Sequence, residues 1–188
     1  VNQIKHVRVG DHVVSVDQGG ESKTVEVVYL PHLSNHGDHE FLEIRCDTEE
    51  TDEEKTIQLT PNHFIFEMSR DDEDHKNKFV AVMAQEVEIG SQLAAWNHSL
   101  EFVEPCWVSE ITPVILSSGV YTAFTSSGTL VVNDLIVSSY ANLRHYGHDS
   151  AHSVAAVHRA MYKAGEADAT WFRRINDKIE YLLAGKRS

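Results

Sequence analysis

The chain has 188 residues, 41% of them apolar and 24% charged, with four Pro and ten Gly. That composition excludes wholesale disorder, collagen-like and low-complexity chains and leaves room for one domain with a small appendage. Sixteen Lys and Arg stand against 29 Asp and Glu, which excludes an extended nucleic-acid footprint, and no run approaches the ~18 consecutive apolar residues of a membrane-spanning helix. Short β-rich runs follow one another up to about residue 141: His12–Val16, Thr24–Leu30, Phe41–Cys46, Thr56–Leu59, Phe64–Met68, Phe79–Met83, Gln92–Trp96, Trp107–Ile111, Val120–Phe124 and Thr129–Val137. Turn-forming stretches such as Asp17-Gln18-Gly19-Gly20 and Asn97-His98-Ser99 separate them, so the sequence predicts an all-β module. The pattern then turns helical. A helix capped by Asp149 or Ser150 and carrying Val154, Val157 and Met161 is expected to end near Gly165, and a second, capped by Asp168 or Thr170, to end at Gly185.

Charge divides the chain at the same place. Residues 1–140 hold 24 acidic and 8 basic side chains, whereas residues 141–188 hold 5 and 8, the asymmetry of a segment with its own partner. Cys46 and Cys106 are spaced neither as metal ligands nor as a disulfide framework, and they leave the compartment open. Because Val1 already reads as folded material, a segment upstream of it is expected.

The β part repeats. Val7-Arg8-Val9-Gly10-Asp11-His12-Val13 parallels Val87-Glu88-Ile89-Gly90-Ser91-Gln92-Leu93, and Asn62-His63-Phe64-Ile65-Phe66 parallels Asn133-Asp134-Leu135-Ile136-Val137. Two matches in the same order at similar offsets predict duplication of one β unit and a pseudo-twofold module.

Leu59-Thr60-Pro61-Asn62-His63-Phe64 sets a hydroxyl and an imidazole three residues apart beside an apolar strand. The segment from Gly119 to Ala141, with Gly128-Thr129, Val131-Val132-Asn133 and Ser138-Ser139-Tyr140-Ala141, resembles the closing segment of the Hedgehog autoprocessing (Hog, or Hint) domain family. Leu59-Thr60-x-x-His63 is similar to that family's Thr-x-x-His block, and Gly10-Asp11-His12-Val13 to its early turn and strand. Asp149-Ser150-Ala151-His152 and Thr170-Trp171-Phe172 resemble its sterol-recognition helices.

The resemblance implies a pseudo-symmetric all-β Hint module over residues 1–142 and a helical sterol-recognition region over 143–188. It implies self-cleavage: a Cys attacks the preceding carbonyl to form an internal thioester, which a sterol hydroxyl then displaces, so the partners are the chain's own upstream polypeptide and a sterol. The sterol is a co-substrate, and no cofactor or metal is implied. His63 would protonate the departing amide nitrogen, and Thr60 would polarise the same peptide by a hydrogen bond. Matching the Gly10-Asp11 turn to the family, the resemblance puts the nucleophilic Cys about a dozen residues before Val1, and neither Cys46 nor Cys106 sits in a matching position. Ser139 stands where the family usually has a Cys. His32 stands where the family places an Asp that activates the sterol hydroxyl; a neutral His can take up the same proton, and a shift in this loop instead brings His36 or Asp38 to the role. Trp171, Phe172, Ile175, Ile179, Leu182 and Leu183, with interleaved Arg173, Arg174 and Lys178, would contact sterol and a membrane surface. The resemblance also implies passage through the secretory pathway. Metal binding by His36-Gly37-Asp38-His39 or by His145, His148 and His152 is disfavoured, because no matched thiolate pair completes a shell. Two alternatives stay open: intein-like splicing, and a degenerate module that binds lipid or protein without catalysis.

Overall fold

The computed structural model of the protein describes residues 3–30, 33–34, 37–48, 53–69, 79–117, 119–141 and 147–163. β1 (His12–Val16) and β2 (Ser22–Tyr29) pair as an antiparallel hairpin. Asp17 builds its turn, Oδ1 accepting the N–H groups of Gly19 and Glu21 at 3.0 Å each, as short polar side chains do at turns. β3 (Leu33–Ser34), β4 (His39–Thr48), β5 (Glu54–Leu59), β6 (His63–Met68) and β7 (Phe79–Met83) complete the first half. β8 (Gln92–Asn97), β9 (Phe102–Leu116), β10 (Val120–Tyr121), β11 (Phe124–Thr125), β12 (Thr129–Val132) and β13 (Leu135–Ala141) form the second, followed by α1 (His148–Val154) and α2 (Ala156–Lys163).

Among the described residues the main sheet runs β12-β13-β6-β8-β9-β4-β5, with β7 on β6; β1-β2-β11 and β10-β3 form two smaller sheets. β6 and β13 lie in the middle of the main sheet and are covered on both faces. Ile65, Leu135 and Val137 enter one core with Ile44, Ile57 and Leu93, while Phe66 and Ile136 point the other way into a second with Val16, Phe79 and Trp96. Adjacent residues therefore serve opposite cores, as the two-residue period of a strand requires, and each strand carries an unbroken apolar stretch, Phe64-Ile65-Phe66 and Leu135-Ile136-Val137.

The predicted repeat is real in the backbone. One-turn 3₁₀ helices at Ile4–His6 and Ala84–Glu86 precede the two matched stretches. Gly10 and Gly90 then adopt φ 93° and 88°, the left-handed region that a glycine enters without cost. Gly10 N–H donates to Val27 O and Gly90 N–H to Val108 O, both at 2.8 Å. The two halves meet where β6 pairs with β13.

Several expectations need correction. Cys46 and Cys106 form a buried disulfide between β4 and β9, with Cα atoms 5.4 Å apart, because these neighbouring strands bring together residues 60 positions apart. The run 129–137 is a hairpin folded at Asn133-Asp134, whose φ values of 48° and 63° are those of a two-residue turn. The run 120–124 is broken between β10 and β11, and the run 107–111 is the middle of a 15-residue strand. The first helix starts at His148 after Gly147, without a side-chain cap, and gives way to α2 at Ala155. The face expected to carry Val154, Val157 and Met161, the second expected helix and residues 142–146 around the expected domain boundary lie outside the described residues and side chains.

Candidate functional site

Thr60-Pro61-Asn62-His63 is a β-turn closed by His63 N–H donating to Thr60 O at 2.9 Å. Pro61 suits its second position because the ring presets φ near −65°. The turn starts β6 on His63, whose ring Nε2 lies 2.8 Å from the Ser138 carbonyl oxygen. A carbonyl can only accept, so Nε2 carries the proton and a neutral His63 has its lone pair on Nδ1. Among the described residues nothing is bonded to Nδ1 or to the Thr60 hydroxyl. His63 keeps some exposed surface, yet burial of the ring pushes its pKa below the usual imidazole value; the bond to Ser138 opposes this less strongly.

Ser138 faces His63 because β13 bulges there. Val137 pairs with Ile65 and Ala141 with His63, so Ser138, Ser139 and Tyr140 stand opposite Phe64 alone. Bulges re-aim backbone groups and are frequent beside active sites. Ser138 and Ser139 are fully buried. The Ser138 Oγ lies 2.8 Å from both the Tyr140 N–H and the His148 Nδ1. Ser139 points away from His63: its Oγ accepts the Thr125 N–H at 3.2 Å and lies 3.2 Å from Thr125 Oγ1, joining a hydroxyl chain with Ser127, Thr129 and Ser15.

His148 and His152, one turn apart on α1, face β13. His148 is buried against the Phe66 and Tyr140 rings, with centroids 5.2 and 5.8 Å away. The Tyr140 hydroxyl donates to His152 Nδ1 at 3.0 Å and accepts from Arg159 Nη1 at 3.1 Å. Burial lowers the pKa of both imidazoles. His152 falls to about 4, because the Arg159 guanidinium and His148 add to desolvation, with Asp149 opposing.

Of the predicted site residues, the structure brings Thr60 and His63 to one end of β13 and sets Ser139 beside them with its hydroxyl turned into the hydroxyl chain. His32, His36, Trp171, Phe172, Ile175, Ile179, Leu182 and Leu183 lie outside the described residues. Asp38 is exposed and its Oδ1 accepts the Ser117 hydroxyl at 2.6 Å. His148 and His152, read from sequence as components of a disfavoured metal cluster, bond Ser138 and Tyr140; among the described residues no group of three His, Cys, Asp or Glu could hold a metal ion. Sequence reasoning missed Ser138, Tyr140 and Arg159, and their only signal was a helical pattern following directly on the Ser-Ser-Tyr-Ala stretch.

A groove of about 1020 Å³ lined by Asp11, His12, Lys55, His98 and Asp134 lies at the opposite end of β13. There Asp134 pairs with Lys55 at 3.4 Å and His98 at 3.1 Å.

A family model described as Hint module matches residues 1–182. Warthog protein 6 of Caenorhabditis elegans is 28% identical over 143 residues, which cover 76% of this chain and 22% of that protein; the chain thus spans less than a quarter of this curated relative. Among solved structures, a DnaB intein from Synechocystis sp. PCC 6803 is similar with a TM-score of 0.56 at 16% identity, covering 76% of this chain and 87% of the intein. A transcription factor IIB Mvu mini-intein gives 0.51 at 14%, covering 68% and 71%, and the PabCDC21-1 intein 0.51 at 17%, covering 69% and 70%. At these identities the structural likeness is one of fold.

Proposed function

This chain belongs to the Hint module family, and on that premise we propose that it is an autoprocessing domain that cleaves itself from the polypeptide preceding it and passes that polypeptide to a sterol hydroxyl. The observation that carries the reading is the neutral, partly desolvated His63, held by its Nε2–H to the bulged strand with Nδ1 left to react.

The chemistry divides into two acyl transfers. A Cys upstream of Val1 attacks the carbonyl carbon before it, and its thiol proton passes to His63 Nδ1. The imidazolium, an acid strengthened by burial, returns that proton to the amide nitrogen as the C–N bond breaks and the thioester forms. The Thr60 hydroxyl, at the other end of the same turn, donates to the same peptide and polarises it. In the second transfer the sterol oxygen attacks the thioester carbon, a base takes the hydroxyl proton and the thiolate leaves. His32 is that base, with His36 or Asp38 the residues to test beside it. Trp171, Phe172, Ile175, Ile179, Leu182 and Leu183 hold the sterol at a membrane surface. The Cys46–Cys106 disulfide supports a fold completed in the oxidising secretory pathway.

The test fuses a reporter to the preceding polypeptide, with its Cys, and adds cholesterol to the full chain. Release of a reporter heavier by one sterol is expected. Release by dithiothreitol but never with sterol would refute the transfer step, and no release under either condition would refute self-cleavage.

A further inference from the structure

The β13 bulge leaves its backbone groups to be satisfied outside the ladder, and Ser138 does most of this. Its carbonyl accepts the His63 Nε2–H and its Oγ accepts the Tyr140 N–H at 2.8 Å. An oxygen already accepting there sends its one hydroxyl proton to the remaining neighbour, His148 Nδ1, at 2.8 Å. The three groups Ser138, Tyr140 and His148 are all buried, where an unmatched hydroxyl or N–H costs about 1–3 kcal/mol.

The seat of α1 is shaped for this contact. Gly128, on the turn between β11 and β12, lies under the His152 ring, and a Cβ there would collide with His152 Nδ1 and come within 3.1 Å of Tyr140. Its φ of 85° also excludes most side chains at low cost. Ala155 packs with Phe64 and Tyr140, beside Ala151, so the residue that the bulge opposes is also the residue on which the helix ends rest.

We propose that His148 is a positioning residue: by accepting the Ser138 hydroxyl it holds the bulge whose carbonyl keeps His63 in the Nε2–H form, making α1 part of the cleaving body. The proposal rests on the reading of His63 given above. It goes beyond that reading because it gives the helical segment after the β module a part in the first acyl transfer. A ring tipped away from Ser138 would lose both its orientation and the tautomer that leaves Nδ1 bare, and misplacement of about 1 Å is enough to slow such a reaction on the order of 10²-fold.

The experiment uses the full chain with its preceding polypeptide and reporter. It reads dithiothreitol-induced cleavage and the imidazole ¹⁵N shifts of His63, which report the tautomer directly. His148→Ala is expected to slow cleavage about 10- to 100-fold and to move the His63 shifts from a fixed Nε2–H form toward a mixture. His148→Asn, whose amide oxygen can take the Ser138 proton, is expected to restore both. Cleavage by His148→Ala at the wild-type rate, unchanged His63 shifts in that variant, or His148→Asn no better than His148→Ala would overturn the proposal. Should the wild-type chain fail to cleave, self-cleavage falls, while the His63 shifts in the two variants still decide whether His148 sets the tautomer.

Discussion

The turns that open β6 and β13 hold equivalent places in the two halves of the molecule, yet their chemistry is opposite. Thr60-Pro61-Asn62-His63 turns through a proline and delivers an imidazole into a desolvated position against Ser138. Val132-Asn133-Asp134-Leu135 turns through two left-handed residues and leaves Asp134 42% exposed beside Lys55 and His98. The apolar strands that follow stay alike because Ile65-Phe66 and Leu135-Ile136-Val137 are sandwiched between the same two cores, while Phe64 packs with Tyr140 and Ala155. Duplication thus preserved what packing of the two strands demands, and the copies part at the turns that lead into them. A departure between repeats is therefore a pointer to function.

The largest expected effect tests that contrast. His63→Ala should slow dithiothreitol-induced release of an upstream reporter about 10²- to 10⁴-fold, the usual worth of a general acid–base. Asp134→Asn should leave release unchanged and cost about 1 kcal/mol of stability or less, as expected of a half-exposed ion pair. Equal losses of cleavage in the two variants would show that the halves do not differ in role.

Next in size is the covalent tie between the halves. Replacing Cys46 and Cys106 together by Ala frees a 60-residue loop, and chain entropy predicts a loss of about 4 kcal/mol at 25 °C. Urea unfolding of the variant against the oxidised chain checks this, and an unmoved midpoint would deny the disulfide its role.

The smallest effect is a pH dependence confined to the His63 end of β13. His63, His148 and His152 are all shifted downward, so the unfolded chain, with imidazoles near ~6.5, takes up protons before the fold does. Stability should be level above about pH 6.5 and decline as pH falls toward the value of about 4 at which His152 titrates in the fold. Thermal melts from pH 8 to pH 4 would show it, and the decline should flatten in a His148→Asn, His152→Asn double variant. An equally steep decline there would place the titrating groups elsewhere.

Much of this was legible in the sequence. The repeat could be read because Gly10 and Gly90 must both turn through left-handed backbone and hand their N–H groups to equivalent strands, β2 and β9, so residue type and spacing survive together. Thr60 and His63 could be picked out because a turn determines their separation locally. The Thr129–Val137 run was misread as one strand because strands buried on both faces lose their polar alternation, and Asn133-Asp134 was the one local sign of the turn. The disulfide was invisible because nothing near Cys46 or Cys106 tells that β4 and β9 are neighbours.

Local chemistry, then, was settled by the order of residues alone: short strands, turns, a duplicated unit and a hydroxyl–imidazole pair, all of which depend on contacts within a few positions along the chain. What the imidazole bonds to, which nitrogen keeps the proton and which helix supports the bulge were decided only when β6, β13 and α1 packed together. Those properties arise from burial and from partners such as Ser138, 75 positions from His63, and His148, 10 positions further on, and no local pattern encodes a meeting of that kind.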